Sequence, residues 1–112
     1  MGKIIKPKQV IIYEDESGVQ PFKNWLNDLR DPKTRRRILQ RLSRLENGNY
    51  GDYKSLKDGV FELRFTFGSG YRVYFGEDGD QIVLLLCGGD KSSQTKDIET
   101  AKIYWKEYVN HA

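Results

Sequence analysis

From Gly59 to Lys91 the chain reads GVFELRFTFGSGYRVYFGEDGDQIVLLLCGGDK, three apolar stretches joined by two glycine-containing turns, with arginines set inside the first two. Successive side chains of a strand point to opposite faces. Phe61, Leu63, Phe65 and Phe67 therefore share one face, and Glu62, Arg64 and Thr66 the other. The next strand divides in the same way, with Tyr71, Val73 and Phe75 opposed to Arg72 and Tyr74. Each strand gives one side to packing and the other to charge. Where the two polar faces coincide, Arg64 and Arg72 lie side by side, and that surface is the candidate site. The third stretch, Ile82 to Cys87, is apolar on both faces, which places it inside the sheet with cover on each side.

The flanking segments supply that cover. Lys8 to Glu14 reads as a first strand, broken by the acids, serine and glycine of 14–18. Pro21 suits the first turn of a helix, and Phe22, Trp25, Leu26 and Leu29 follow at i, i+3, i+4 and i+7, ending near Arg30. Asp31-Pro32 reads as an N-cap and first helical residue of a second helix. Its stripe is Ile38, Leu39, Leu42 and Leu45, its outer surface is strongly basic, and Gly48 closes it. Residues 47–58 read as a loop. The turn-rich GGDKSSQTKD leads to a last helix from about Asp97 to Val109, with a stripe of Ile98, Ala101, Trp105 and Tyr108. These aromatics belong to the core rather than to a base-stacking platform. The expected fold class is α+β, in the order β-α-α-β-β-β-α: an antiparallel-dominated sheet packed against a helical hairpin and a C-terminal helix. At 112 residues the chain suits one domain, 1–112.

Several chemistries drop out. His111, the one histidine, is the penultimate residue, so no histidine triad or histidine metal cluster is available. Cys87 alone makes neither an internal disulfide nor a zinc site, and reads as a small buried hydrophobe. Gly88-Gly89-Asp90-Lys91 has the composition of a phosphate loop without its spacing. No apolar run approaches the about 20 residues that span a bilayer. The N-terminal MGKIIKPK lacks the apolar core of a secretory signal, and a cytoplasmic location is the expectation. A net charge of +3 is only a mild basic bias; its distribution matters more.

What remains is a basic constellation: Arg64 and Arg72 on strands, Lys54 and Lys57 before them, and Lys91 after the last. Tyr74, Glu62 and Asp90 lie close in sequence. Guanidinium groups grip phosphodiester oxygens in pairs and stay charged at any relevant pH, and they stabilise the charge of a pentavalent transition state. RNA brings its own nucleophile, the 2′-OH, so such chemistry needs neither a covalent residue nor a metal; no cofactor is expected. A base and an acid are required, and proton transfer is open between Lys57, Tyr74 and Asp90. Pairing of Glu62 with an arginine is the simpler structural reading of the same residues. For the arginine-rich helix, a solvated face stands beside contacts to phosphates or to an acidic partner, with Arg35, Arg36, Arg37 and Arg41 as the partner-binding set.

The run GVFELRFTFGSGYRVYF, the entry SLKDGVFELR, the strand IVLLLC and the following GGDKSSQ resemble the RelE/ParE superfamily of toxin–antitoxin toxins. Within it the HigB-like addiction module killer proteins are the nearest branch. The resemblance implies a small α/β domain whose antiparallel sheet is cupped against helices. It implies an enzyme that cuts messenger RNA in the ribosomal A site, held inactive by a cognate antitoxin, often of helix-turn-helix type. By motif position it assigns the working basic residues to Arg64, Arg72 and Lys91, with Lys57 as a fourth. A ParE-like inhibitor that binds DNA gyrase, or a non-catalytic interaction module, are the alternatives. On this reading Arg72→Ala abolishes mRNA cleavage and leaves the fold intact.

Overall fold

The computed structural model describes residues 7–111; most of the N-terminal stretch read as lacking a signal lies outside them. The elements are β1 (Gln9–Ile12), α1 (Pro21–Asp28), α2 (Pro32–Glu46), β2 (Tyr53–Ser55), β3 (Val60–Arg64), β4 (Arg72–Asp78), β5 (Ile82–Gly89) and α3 (Gln94–His111), with a single 3₁₀ turn over Lys91–Ser93. The strands form one mixed sheet in the order β1-β5-β4-β3-β2. The pairs β2–β3, β3–β4 and β4–β5 are antiparallel, while β1 lies parallel to β5. The fold is therefore α+β, as expected, with two departures. The stretch read as a loop contains β2, a three-residue edge strand too short to leave an alternation pattern. The first strand is also shorter than the 8–14 reading.

Alternation sorts the sheet into two faces. Leu63, Phe65, Val73, Phe75, Val83 and Leu85 pack against Phe22 and Leu26 of α1 and Ile38, Leu42 and Leu45 of α2. Asp31 caps α2 as read, its side chain accepting from the Lys33 amide at 2.9 Å. Leu39, assigned to the buried stripe, is instead 48% exposed, because the sheet meets only the Ile38–Leu42–Leu45 side of the helix. On the opposite face Val60, Tyr74, Leu84, Leu86 and Cys87 pack with Ala101, Ile98, Trp105 and Tyr108 of α3. β5 is thus covered on both sides. Buried among these side chains, the Cys87 thiol has its pKa pushed up to about 12, chiefly by desolvation.

One irregularity tunes the end of β5. Tyr74 pairs with Cys87 but Phe75 with Leu85, so Leu86 is an extra residue, a bulge that shifts the pairing of the last residues of the strand by one position. Gly88 then lies under Trp25 of α1, where an added Cβ would sit 2.2 Å from the indole. Gly89 lies under α3, where a Cβ would meet the Asp97 carboxylate. Among the described residues no helix is long and apolar enough to cross a membrane.

Candidate functional site

The α3-facing side of the sheet changes character row by row. Val60 and Gly76 are register partners, and Trp105 closes directly over that glycine. Glu62 opposes Tyr74 in the next polar row, with Lys54 at the edge on one side and Cys87 on the other. Arg64 opposes Arg72, which opposes Gly89, in the last. α3 begins at Gln94, beside the middle row, and its first turn lies over Gly89 at the β5 end of the last row. Arg72 is therefore only 13% exposed, while Arg64, farther from the helix, is 38% exposed.

Like charges directly opposite one another on neighbouring strands destabilise a sheet. Here each arginine has its own acid. Arg64 Nη2 lies 3.3 Å from Asp52 Oδ1, both groups well exposed. Arg72 Nε lies 3.6 Å from Glu62 Oε1, with the arginine side chain 13% exposed and the glutamate fully buried. Glu62 Oε1 also accepts a hydrogen bond from Gln94 Nε2 at 2.7 Å. Glu62 Oε2, Arg64 Nε, Arg72 Nε and Tyr74 Oη are buried and have no hydrogen-bond partner among the described residues.

Lys91 joins this end of the sheet. Its amide donates to the Ser69 carbonyl, and its Cβ packs beside Gly70 in the β3–β4 turn. Asp90 organises the same corner: its carboxylate accepts from the Ser92 amide, the Ser92 hydroxyl and the Ser69 hydroxyl. Those bonds, that of the Ser92 hydroxyl foremost, hold its pKa below the usual carboxylate value.

The other sequence candidates are placed elsewhere. Lys57 sits in the β2–β3 turn in the left-handed region, φ 71°, at the opposite end of β3 from Arg64; four residues of strand span about 13 Å. Lys54 is exposed on the edge strand opposite Glu62. Tyr74 is fully enclosed, and burial foremost, with Glu62 next, raises its pKa. Of the helix arginines, Arg35 donates to the Leu29 carbonyl. Arg37 lies 3.8 Å over the Phe67 ring. Arg41 donates to the carbonyls of Arg64, Tyr50 and Asp52 at 2.8, 3.2 and 3.0 Å. Arg36 is exposed. Arg41 thereby ties α2 to the backbone under the arginine row.

Asp52, Ser69 and Gln94 are invisible in the sequence. Each sits in a loop or at a helix start, where no periodicity marks a partner. The burial of Glu62 also changes what Arg72→Ala reports. Removing the cation from a fully buried carboxylate leaves an uncompensated charge, a loss of about 3–5 kcal/mol. The expectation that Arg72→Ala leaves the fold intact is therefore withdrawn. Among the described residues, no group of three or more His, Cys, Asp or Glu is placed to hold a metal ion.

Fold and site define a small α+β protein with two opposed arginines at one end of a mixed sheet. The chain belongs to the family described as Phage derived protein Gp49-like (DUF891), whose profile matches residues 24–106. That family is associated with addiction-module toxins of the RelE/ParE-like kind. A protein of Haemophilus influenzae, described as uncharacterized, is 49% identical over 86 residues, covering 77% of this chain and 87% of its own.

Proposed function

We propose that this chain is the toxin of a toxin–antitoxin pair and acts as a ribosome-dependent endoribonuclease of the HigB-like type. The observation that carries the reading is the direct opposition of Arg64 and Arg72, beside Lys91, at the end of the sheet where Arg64 stays well exposed. Two like charges are kept in register here only because each has its own acid, one of them the fully buried Glu62, which is itself costly to enclose. Such a local conflict is characteristic of functional sites.

In this reading the guanidiniums and Lys91 bind the scissile phosphate and stabilise its extra charge as the 2′-OH attacks. The 2′-oxygen bonds to phosphorus, the bond from phosphorus to the 5′-oxygen breaks, the 5′-oxygen takes a proton from solvent, and a 2′,3′-cyclic phosphate and a 5′-OH result. The 2′-OH proton passes to Asp90, ionised at neutral pH and the one proton-transfer candidate that both lies at this end and meets solvent. Lys54 extends the basic track along the edge strand. The ribosome supplies the positioning that so small a basic surface lacks. An antitoxin with acidic and apolar segments covers the arginine row or the basic side of α2 around Arg36 and Arg37.

The test is cleavage of translated mRNA by Arg64→Ala and by Arg72→Lys, the second chosen to keep a cation beside Glu62. Each is expected to lose about 100-fold or more. An Arg64→Ala variant that cuts as fast as wild type removes the proposal. A gyrase supercoiling assay run alongside tests the ParE-like alternative. The enclosure of Tyr74 favours that alternative, since it leaves few groups for proton transfer; inhibition of supercoiling without RNA cleavage would establish it.

A further inference from the structure

We propose that Glu62 is a positioning residue for Arg72, and that Gln94 holds Glu62 in place; the inference rests on the phosphate-binding reading of Arg72. A carboxylate with no exposed surface is costly unless its charge is met and its oxygens are bonded. Among the described residues Glu62 is the one charged residue with a fully buried side chain, and two groups answer its Oε1, while Oε2 has no hydrogen-bond partner among them. Gln94 Nε2 donates to Oε1 at 2.7 Å, and Arg72 approaches the same oxygen through Nε at 3.6 Å. A contact of that length is electrostatic rather than a hydrogen bond.

The Nε edge of the guanidinium is thus committed inward and carries no exposed surface. What remains accessible of a side chain only 13% exposed lies away from Nε, in the row it shares with the more exposed Arg64. An arginine on an open sheet face would sample many rotamers. This one is aimed, because turning it away would strand a buried carboxylate. Since Gln94 opens α3, the helix that packs on this face of the sheet also holds the carboxylate that aims the guanidinium. Tyr74, opposite Glu62, walls the carboxylate in without bonding to it.

The experiment compares wild type, Glu62→Gln and Gln94→Ala in the full chain with two readouts. The first is solvent exchange of the Arg72 Nε–H by NMR, read against the Arg64 Nε–H and against global stability in urea. The second is the kcat and KM of mRNA cleavage in a translation reaction. Glu62→Gln keeps the shape and the Gln94 contact but removes the charge. It is expected to speed Arg72 Nε–H exchange about tenfold or more, and to lower kcat by about 10- to 100-fold with KM little changed, the range for loss of a supporting partner. Gln94→Ala is expected to move both in the same direction by less. Unchanged exchange, or cleavage at the wild-type rate, overturns the proposal. If Glu62→Gln does not fold, Gln94→Ala decides by the same exchange measurement. If wild type cuts no RNA, the nuclease reading fails by itself, and exchange alone then decides whether Glu62 positions Arg72.

Discussion

Tyr74→Phe offers a test in which stability and chemistry point to one atom. The residue has no exposed surface, and its hydroxyl has no hydrogen-bond partner among the described residues. Enclosing an unbonded hydroxyl costs about 1–3 kcal/mol. The substitution removes that cost and keeps the ring packed among Val60, Leu84, Leu86 and Ala101. Against it stands the loss of a single oxygen's contacts, each worth about 0.1–0.2 kcal/mol. The balance is a gain of about 1 kcal/mol, which raises the melting temperature of a domain this size by about 4–8 °C. Urea unfolding measures it, with the slope expected to stay constant. Because burial and Glu62 raise the pKa of the phenol, it stays protonated at neutral pH and serves as no base. The variant should therefore still cleave. A loss of 1 kcal/mol or more would mean the hydroxyl is bonded to its cross-strand neighbour Glu62. Loss of cleavage in a folded variant would return Tyr74 to the reaction.

Asp90→Asn is expected to abolish cleavage while retaining the fold, measured by single-turnover RNA cutting and circular dichroism. Since Asp90 must be ionised to accept a proton and its pKa is depressed, wild-type activity attributable to it should persist as pH falls to about 4, the ordinary carboxylate value. Gly88→Ala drives a methyl group into Trp25 and should cost about 1–3 kcal/mol by urea unfolding. Arg41→Ala strips a cation from three carbonyls and should destabilise by about 2 kcal/mol or more, whether or not an antitoxin is bound. In alkali the sign is set by the tyrosines: burial foremost raises the pKa values of Tyr13, Tyr50 and Tyr74 above 10.0. The unfolded chain ionises first, so stability present below pH 10 is lost above it, by about 1.4 kcal/mol per pH unit for each such group. Melting curves from pH 9 to 11 measure the slope.

Strand alternation made the two faces of β3 and β4 legible, because burial on one side forces the period of two. The same rule aligned Arg64 with Arg72. It could not show that Glu62 would be enclosed completely, since that depends on where α3 lands, and Gln94 carries no mark of its own in the chain. The parallel partnership of β1 with β5 was equally hidden: an edge strand of four residues looks the same whichever way its neighbour runs. Leu39 misled because an apolar side chain at a stripe boundary satisfies the helical period on either side. Lys57, adjacent in sequence to β3, is distant from the arginines because a strand moves its ends apart.

The β1–β5 pairing has a consequence for the order of synthesis. Gln9 must wait for Ile82 before it has a partner, and contacts so remote along the chain form late. During translation β3 and β4, with Arg64 and Arg72, leave the ribosome before β5, which pairs with β4, and before α3, which encloses Glu62. A nascent chain therefore carries both guanidiniums well before it carries the frame that aims them.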